Sequence, residues 1–475
     1  MSLDQTNTPL YDMLVNYKNR ELDSYHVPGH KNGKIFSSRG MDEFQSLLQM
    51  DATEITGMDD LHDAHGPIQQ AQALAADFFH SDSSYFLING STAGNLAMLL
   101  TICQAGDKVI VQRNCHKSIL HGLELAGAQP VFLAASYEEQ SARYSKIEVE
   151  IVEEALVRFP EAKGLVLTYP DYFGRTYEME EIIKTVHHFE VPVLVDEAHG
   201  IHFHLGRPFP PPALEAGADI VVQSAHKMAP AMTMASLLHA NGERIDFERL
   251  RYFLQVFQSS SPSYPLMASL DLARHFLANA TEEMVGRAIQ HASKIREILA
   301  EGDGWTVLPV SRCDDPLKIT LQADRGWNGL QIAALLEDAG VFPELALPDQ
   351  LLLVTGLGEY INLCRLKNSI SIVNEQLKTT RKHATIKTVS LYTETIQELT
   401  FSYEKMKKMQ SVFTPWQEAA GKVAAQPVVP YPPGVPLLVK GETITKKHIE
   451  QIVQLIDQGT RFHNEEIKEG MVTFK

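Results

Sequence analysis

Short apolar runs recur along the first half of the chain, separated by stretches of helical periodicity. "SSYFLING", "DKVIVQ", "PVFLA", "AKGLVLTYP", "VPVLVDEAHG" and "ADIVVQSAHK" are each too short for a buried helix and rich in β-branched or aromatic residues. "IQQAQALAADFF", "TAGNLAMLLTICQAG" and "SILHGLELAG" lie beside or between them with helical spacing. Strands that are apolar throughout, rather than alternating, must be covered on both faces. The pattern therefore predicts an α/β fold with a mostly parallel sheet flanked by helices. Ligands in such sheets bind where the strands end. Here the polar clusters "NGSTAGN", "RNCHKS", "DEAHG" and "SAHK" each fall at such an end.

Two other regions break this rhythm. Residues 1–60 are rich in turn formers and histidine ("HVPGHKNGK", "GMDDLHDAHGP") and read as an N-terminal arm laid on another surface. Residues 61–284 form the large domain. From about residue 285 the order changes to helix "AIQHASKIREILA", strand "LKITLQA", helix "NGLQIAALLEDAG" and strand "QLLLVTG". Residues 285–475 are thus expected to be a smaller α+β domain, closed by the helix "KKHIEQIVQLIDQG". The run after Lys227, "MAPAMTMASLLH", is helix-competent.

The strand ends carry a specific chemistry. Lys227 is delivered to the end of an apolar strand, where an ammonium group needs a partner. Asp196 ends the equally apolar "VPVLVDE", where a carboxylate is costly without a cation or donors. "NGSTAGN" opens a helix with Gly90, Ser91 and Thr92, a backbone and hydroxyl cradle for phosphate. Ser224 and His226 flank Lys227 with further phosphate-bonding groups. A strand-end lysine, a strand-end acid and a phosphate cradle meet the needs of pyridoxal 5'-phosphate: an amine for its aldehyde and a carboxylate to keep its ring nitrogen protonated. His116 in "RNCHKS" can lie on the cofactor ring, or be a solvated loop residue. His199, three residues after Asp196, can reach the ring's phenolic oxygen.

A second reading uses the histidines as metal ligands, from "HGIHFH" (His199, His202, His204) and "HDAH" (His62, His65). It gives a metal-dependent hydrolase but leaves Lys227 and the phosphate cradle without work, so no metal is expected. The net charge of −17 disfavours nucleic acid and anionic membranes as partners. Four scattered cysteines, no signal-like start and no long apolar run point to a reducing cytoplasm.

The strings "YHVPGHKNG", "TGMDDLHDAHGPI", "YFLINGSTAGN", "QRNCHKS", "LVDEAHG", "QSAHK", "QSSSPSYPLMASLD" and "PYPPGVPLLVKGE" resemble, in order, the motifs of the Orn/Lys/Arg decarboxylases. These are pyridoxal-phosphate enzymes of the aspartate-aminotransferase fold, fold type I. The match runs from about residue 24 to residue 442 and looks most like the short Gram-positive-type members.

The resemblance implies a role for each matching position. Lys227 would carry the covalent link to the cofactor, Asp196 would pair with the ring nitrogen, and His116 would stack on the ring. Ser91, Thr92, Ser224 and His226 would hold the phosphate. Ser259 or Ser260 would reach the phosphate of a neighbouring subunit, which makes a homodimer or larger homo-oligomer with shared sites. Glu344 in "GVFPELA" would meet the distal cation of the substrate, with Glu442 as a second candidate.

The implied reaction is α-decarboxylation of a basic L-amino acid, arginine ahead of lysine and ornithine, giving agmatine, cadaverine or putrescine. Asp171 stands where the family usually has threonine, and Met228–Ala229 where Thr-Leu is expected. An aminotransferase of the same fold, with Arg365 clamping the substrate carboxylate, and a drifted lyase remain as alternatives.

Overall fold

The structure is a computed structural model, which describes residues 2–20, 22–382, 394–430, 436–457, 459–462, 464 and 466–475. Residues 431–435 of the "PYPPGVP" motif lie outside them. The chain divides into two compact units that interleave in sequence. The first comprises residues 1–102, 190–207 and 211–281, and the second residues 103–189, 208–210 and 282–475.

Eight strands carry the main sheet segments of the two units. In chain order they are β1 (Ser83–Leu87), β2 (Lys108–Gln112), β3 (Gln129–Leu133), β4 (Leu165–Thr168), β5 (Val193–Asp196), β6 (Ile220–Gln223), β7 (Ser236–Ala240) and β8 (Ile396–Glu398). In the first unit the order is β1-β7-β6-β5. Strands β5 and β6 pair in parallel, with Asp196 opposite Val222, while β7 runs antiparallel to both β6 and β1. In the second unit the order is β4-β2-β3-β8, parallel except for β8. Three of the four strands in each unit thus point the same way, and their side chains are buried almost throughout.

Strand β7 departs from the sequence reading. "MASLLH" is helix-competent, yet only Ala225–Met228 is helical and Ser236–Ala240 is a fully buried strand. Its place between β1 and β6 decides this. Pairing on both sides satisfies its backbone, and its side chains meet apolar neighbours, so tertiary packing overrides local propensity.

Helices complete the first unit. α1 (Pro9–Lys18) buries Leu10, Leu14 and Tyr17. α2 (Gly90–Ile102) follows β1, and α3 (Tyr264–Ala278) carries a buried pair, Asp271 and Arg274, 2.7 Å apart. Asp271 Oδ2 accepts from the backbone N–H groups of Leu10 and Tyr11, and Arg274 donates to the carbonyls of Gln5 and Asn7. The start of the expected arm is therefore a helix whose free N–H groups are capped by a carboxylate of its own unit.

The second unit also holds a four-stranded antiparallel sheet, ordered Trp305–Val307, Lys318–Ala323, Gln350–Val354, Leu345–Ala346. The helices Glu282–Leu299, Gly329–Asp338 and Leu363–Thr379 pack Ile295, Leu299, Ile332, Leu336, Ile370 and Val373 into one core with Ile319, Leu321 and Leu351 of that sheet. Among the described residues no helix is long and apolar enough to cross a membrane.

Candidate active site

The first unit gathers its chemistry at the start of α2 and the ends of β5 and β6. Gly90 takes φ +74°, a conformation that favours glycine, and so lets the chain turn directly from β1 into the helix. Ser91 and Thr92 then occupy the first turn of a 13-residue helix, whose leading N–H groups have no partner within the helix. Ser91 Oγ lies 2.7 Å from Ser224 Oγ and donates to Ser236 Oγ at 3.2 Å. The α2 start and the β6 end thereby present hydroxyls to the same place. His226 is fixed against the backbone of Ala235, with Nδ1 3.1 Å from the Ala235 carbonyl.

Lys227 sits on the short Ala225–Met228 turn and is exposed rather than buried. Its Nζ lies 2.9 Å from His199 Nε2, and the His199 side chain is itself buried. Asp196 is buried at the last position of β5. Its Oδ2 accepts from Asn95 Nδ2 at 2.9 Å and its Oδ1 from the Ala198 N–H at 3.3 Å. Ser259 and Ser260 are exposed beyond the helix Phe247–Phe257, where the Ser259 carbonyl lies 2.9 Å from His62 Nε2.

Glu197, next to Asp196, points to the opposite face of the strand end and is fully buried. It accepts from the Ala213 N–H at 2.7 Å and from Gln223 Nε2 at 2.6 Å. Gln223 Oε1 lies 3.1 Å from His239 Nε2, and His239 Nδ1 lies 2.6 Å from Ser84 Oγ. Burial pushes the Glu197 carboxyl up to about 8 and the His239 imidazole down to about 3. Both side chains are therefore neutral at pH 7, and a chain of neutral hydrogen bonds crosses β5, β6, β7 and β1. Sequence reasoning missed Glu197, Gln223 and Asn95. Asn95 closes the quoted "NGSTAGN", four residues after Ser91, and that helical spacing was the available signal.

The second unit places the remaining candidates. His116 is the N-cap of the helix Lys117–Ala126, its Nδ1 2.8 Å from Ser118 Oγ. Glu344 is exposed and accepts from the Tyr172 hydroxyl at 2.6 Å. Glu442 is buried, with Oε2 accepting from Arg113 at 2.8 Å and from the Val439 N–H at 2.9 Å. Arg113 also donates to the Pro436 and Leu437 carbonyls. The Glu442 carboxylate is thus committed to an internal ion pair.

Asp171 is buried and accepts from the N–H groups of Phe173 and Arg175, while the Arg143 guanidinium stacks 4.0 Å from the Phe173 ring centre. Burial pushes the Asp171 carboxyl up, against the pull of Arg143. Arg365 is exposed. Among the described residues no group of three His, Cys, Asp or Glu side chains is placed to hold a metal ion.

Comparison with known proteins decides the family. Residues 8–314 match the Orn/Lys/Arg decarboxylase major domain, and residues 384–465 match the C-terminal domain of the same family. The chain belongs to the Orn/Lys/Arg decarboxylase family. It is accordingly an amino-acid decarboxylase for basic amino acids. It is 42% identical to the uncharacterized protein YaaO of Bacillus subtilis, over 98% of this chain and 97% of that one. It is 31% identical to the arginine decarboxylase of Bacillus subtilis, over 96% and 95% of the two chains. The crystal structure of the Francisella novicida lysine decarboxylase superposes with a TM-score of 0.81 at 20% identity, covering 98% of this chain and 81% of that one. At that identity the likeness fixes the fold alone.

Proposed function

We propose that this decarboxylase uses pyridoxal 5'-phosphate and acts on L-arginine, releasing carbon dioxide and agmatine, with L-lysine and then L-ornithine as the alternative substrates. The observation that carries the choice of arginine is the 31% identity, across nearly both full lengths, to a curated arginine decarboxylase. The residues of the first unit fit the cofactor. Gly90 opens α2 with its N–H groups free, and Ser91 and Ser224 bring hydroxyls to within 2.7 Å of each other, an arrangement that suits a phosphate.

Ser91, Thr92, Ser224 and His226 hold the phosphate, and Asp196 holds the ring nitrogen. Lys227 Nζ is the anchor for the aldehyde. When bound, the cofactor supplies an electron sink for the pair left by the departing carboxylate. The chain's own part is orientation and proton handling. Lys227 Nζ and His199 Nε2, 2.9 Å apart, can pass a proton between them and so return one to the substrate Cα. Asp196, buried and held by two donors, offers a fixed negative charge. His116 and Glu344 keep the roles the family resemblance implies, on the ring and on the substrate's distal cation.

The active form is a cytoplasmic homodimer, with Ser259 or Ser260 serving the partner's site. Exposed Tyr25, Val27, Ile35, Phe36 and Phe44 on the N-terminal segment give a second copy apolar surface to cover. The product places the enzyme in polyamine formation. Purified protein with added pyridoxal phosphate is incubated in turn with each of the three amino acids, and the amine and carbon dioxide are measured. Agmatine as the main product supports the reading. Cadaverine or putrescine as the main product overturns the choice of substrate. A visible absorbance band that persists in Lys227→Ala overturns the anchor.

A further inference from the structure

Whatever the substrate, a buried carboxylate that must hold a ring nitrogen has to stay both charged and fixed in direction. We infer that Asn95 is the positioning residue for Asp196, the group that orients its carboxylate and stabilises its charge. The inference rests on the proposed role of Asp196. Asn95 and Asp196 are both almost fully buried, and Asn95 Nδ2 donates to Oδ2 at 2.9 Å. A side-chain donor to a buried anion makes a charge-assisted bond, stronger than a bond between neutral groups. The Ala198 N–H takes the other oxygen at 3.3 Å, but it belongs to the loop leaving the same strand and cannot fix the carboxylate against a separate element.

The geometry behind this bond is specific. Asn95 lies four residues after Ser91, on one side of α2, so the helix presents a hydroxyl to Ser224 at the end of β6 and an amide to Asp196 at the end of β5. Asparagine is short, and it reaches only because α2 lies close to the sheet. Gly94 secures that approach: a Cβ there would come within 2.7 Å of Leu87 Cδ1 and 2.9 Å of Val222 Cγ1. The "AGN" end of the motif therefore serves the ring end of the cofactor, while "GST" serves its phosphate end.

The test compares Asn95→Asp, Asn95→Leu and Asp196→Asn as holoenzymes. Asn95→Asp keeps the shape and places two carboxylates at hydrogen-bond distance, which must then share a proton. Asn95→Leu keeps the bulk and removes the donor. Three quantities are read: the visible absorbance of bound pyridoxal phosphate across pH 6–9, its dissociation constant by fluorescence quenching, and kcat separately from KM. The expected result for Asn95→Asp is an altered, newly pH-dependent band. In both Asn95 variants kcat falls by about ten- to hundredfold, the cost of one bond to a charged group, with KM within about twofold.

A purely structural asparagine would lower thermal stability and leave the band and the kcat-to-KM split unmoved, and that outcome overturns the inference. If Asn95→Asp does not fold, Asn95→Leu decides on the same readouts. If Asp196→Asn keeps the parental band and rate, the assignment of Asp196 falls. If Asp196→Asn is impaired while the Asn95 variants are not, the inference about Asn95 alone falls.

Discussion

Replacing Glu197 by glutamine should make the enzyme's stability less dependent on pH, by an amount that follows from the burial of this one carboxyl. In the folded protein it keeps its proton up to a pH of about 8, while in the unfolded chain it gives the proton up near 4.5. The stability that this proton contributes is fully present below 4.5 and is lost as pH rises toward 8. Each pH unit in that window is worth about 1.4 kcal/mol, so the loss amounts to ~3 kcal/mol by pH 7 and about 5 kcal/mol at most.

Glutamine carries no proton to lose and can keep the surrounding bonds. Its oxygen still accepts from the Ala213 N–H, and its amide donates once the Gln223 side chain turns over. His239, kept neutral by burial, can accept from the turned Gln223 and donate to Ser84. The assay is urea unfolding of the parent and Glu197→Gln, without cofactor, at pH 5, 6, 7, 8 and 9, followed by tryptophan fluorescence. The variant's advantage should grow steadily from pH 5 to about 8 and then level off. A difference that stays constant across the series would refute the claim that Glu197 is buried as the neutral acid.

Two further outcomes are expected. Glu442→Ala strands the buried Arg113 guanidinium and should destabilise the protein by about 3–5 kcal/mol in the same unfolding assay, whereas a loss of activity at unchanged stability would move Glu442 into the substrate site. Tyr172→Phe removes the donor 2.6 Å from Glu344 and should raise KM for the basic substrate about three- to tenfold with kcat near the parental value; an unchanged KM would take this pair away from the substrate's distal cation.

The sequence alone determined the strand-and-helix order of the first half of the chain. β1 to β6 follow from apolar runs of strand length, and Lys227, Asp196, Ser91 and Ser224 stand out as candidates because each lies where such a run ends. That reading works because burial on both faces of a sheet leaves a local signature. Only the tertiary structure decided β7, because "SLLHA" is extended by pairing with β1 and β6 rather than by its own propensity. It also decided the partners of buried polar groups. That Asn95 meets Asp196 depends on how closely Gly94 lets a helix approach the sheet. That Glu442 faces Arg113, and that Glu197 is held by Gln223, joins residues 329 and 26 positions apart. Hydrogen bonds in the interior are set by which elements pack together, and no local pattern of residue types encodes that distance.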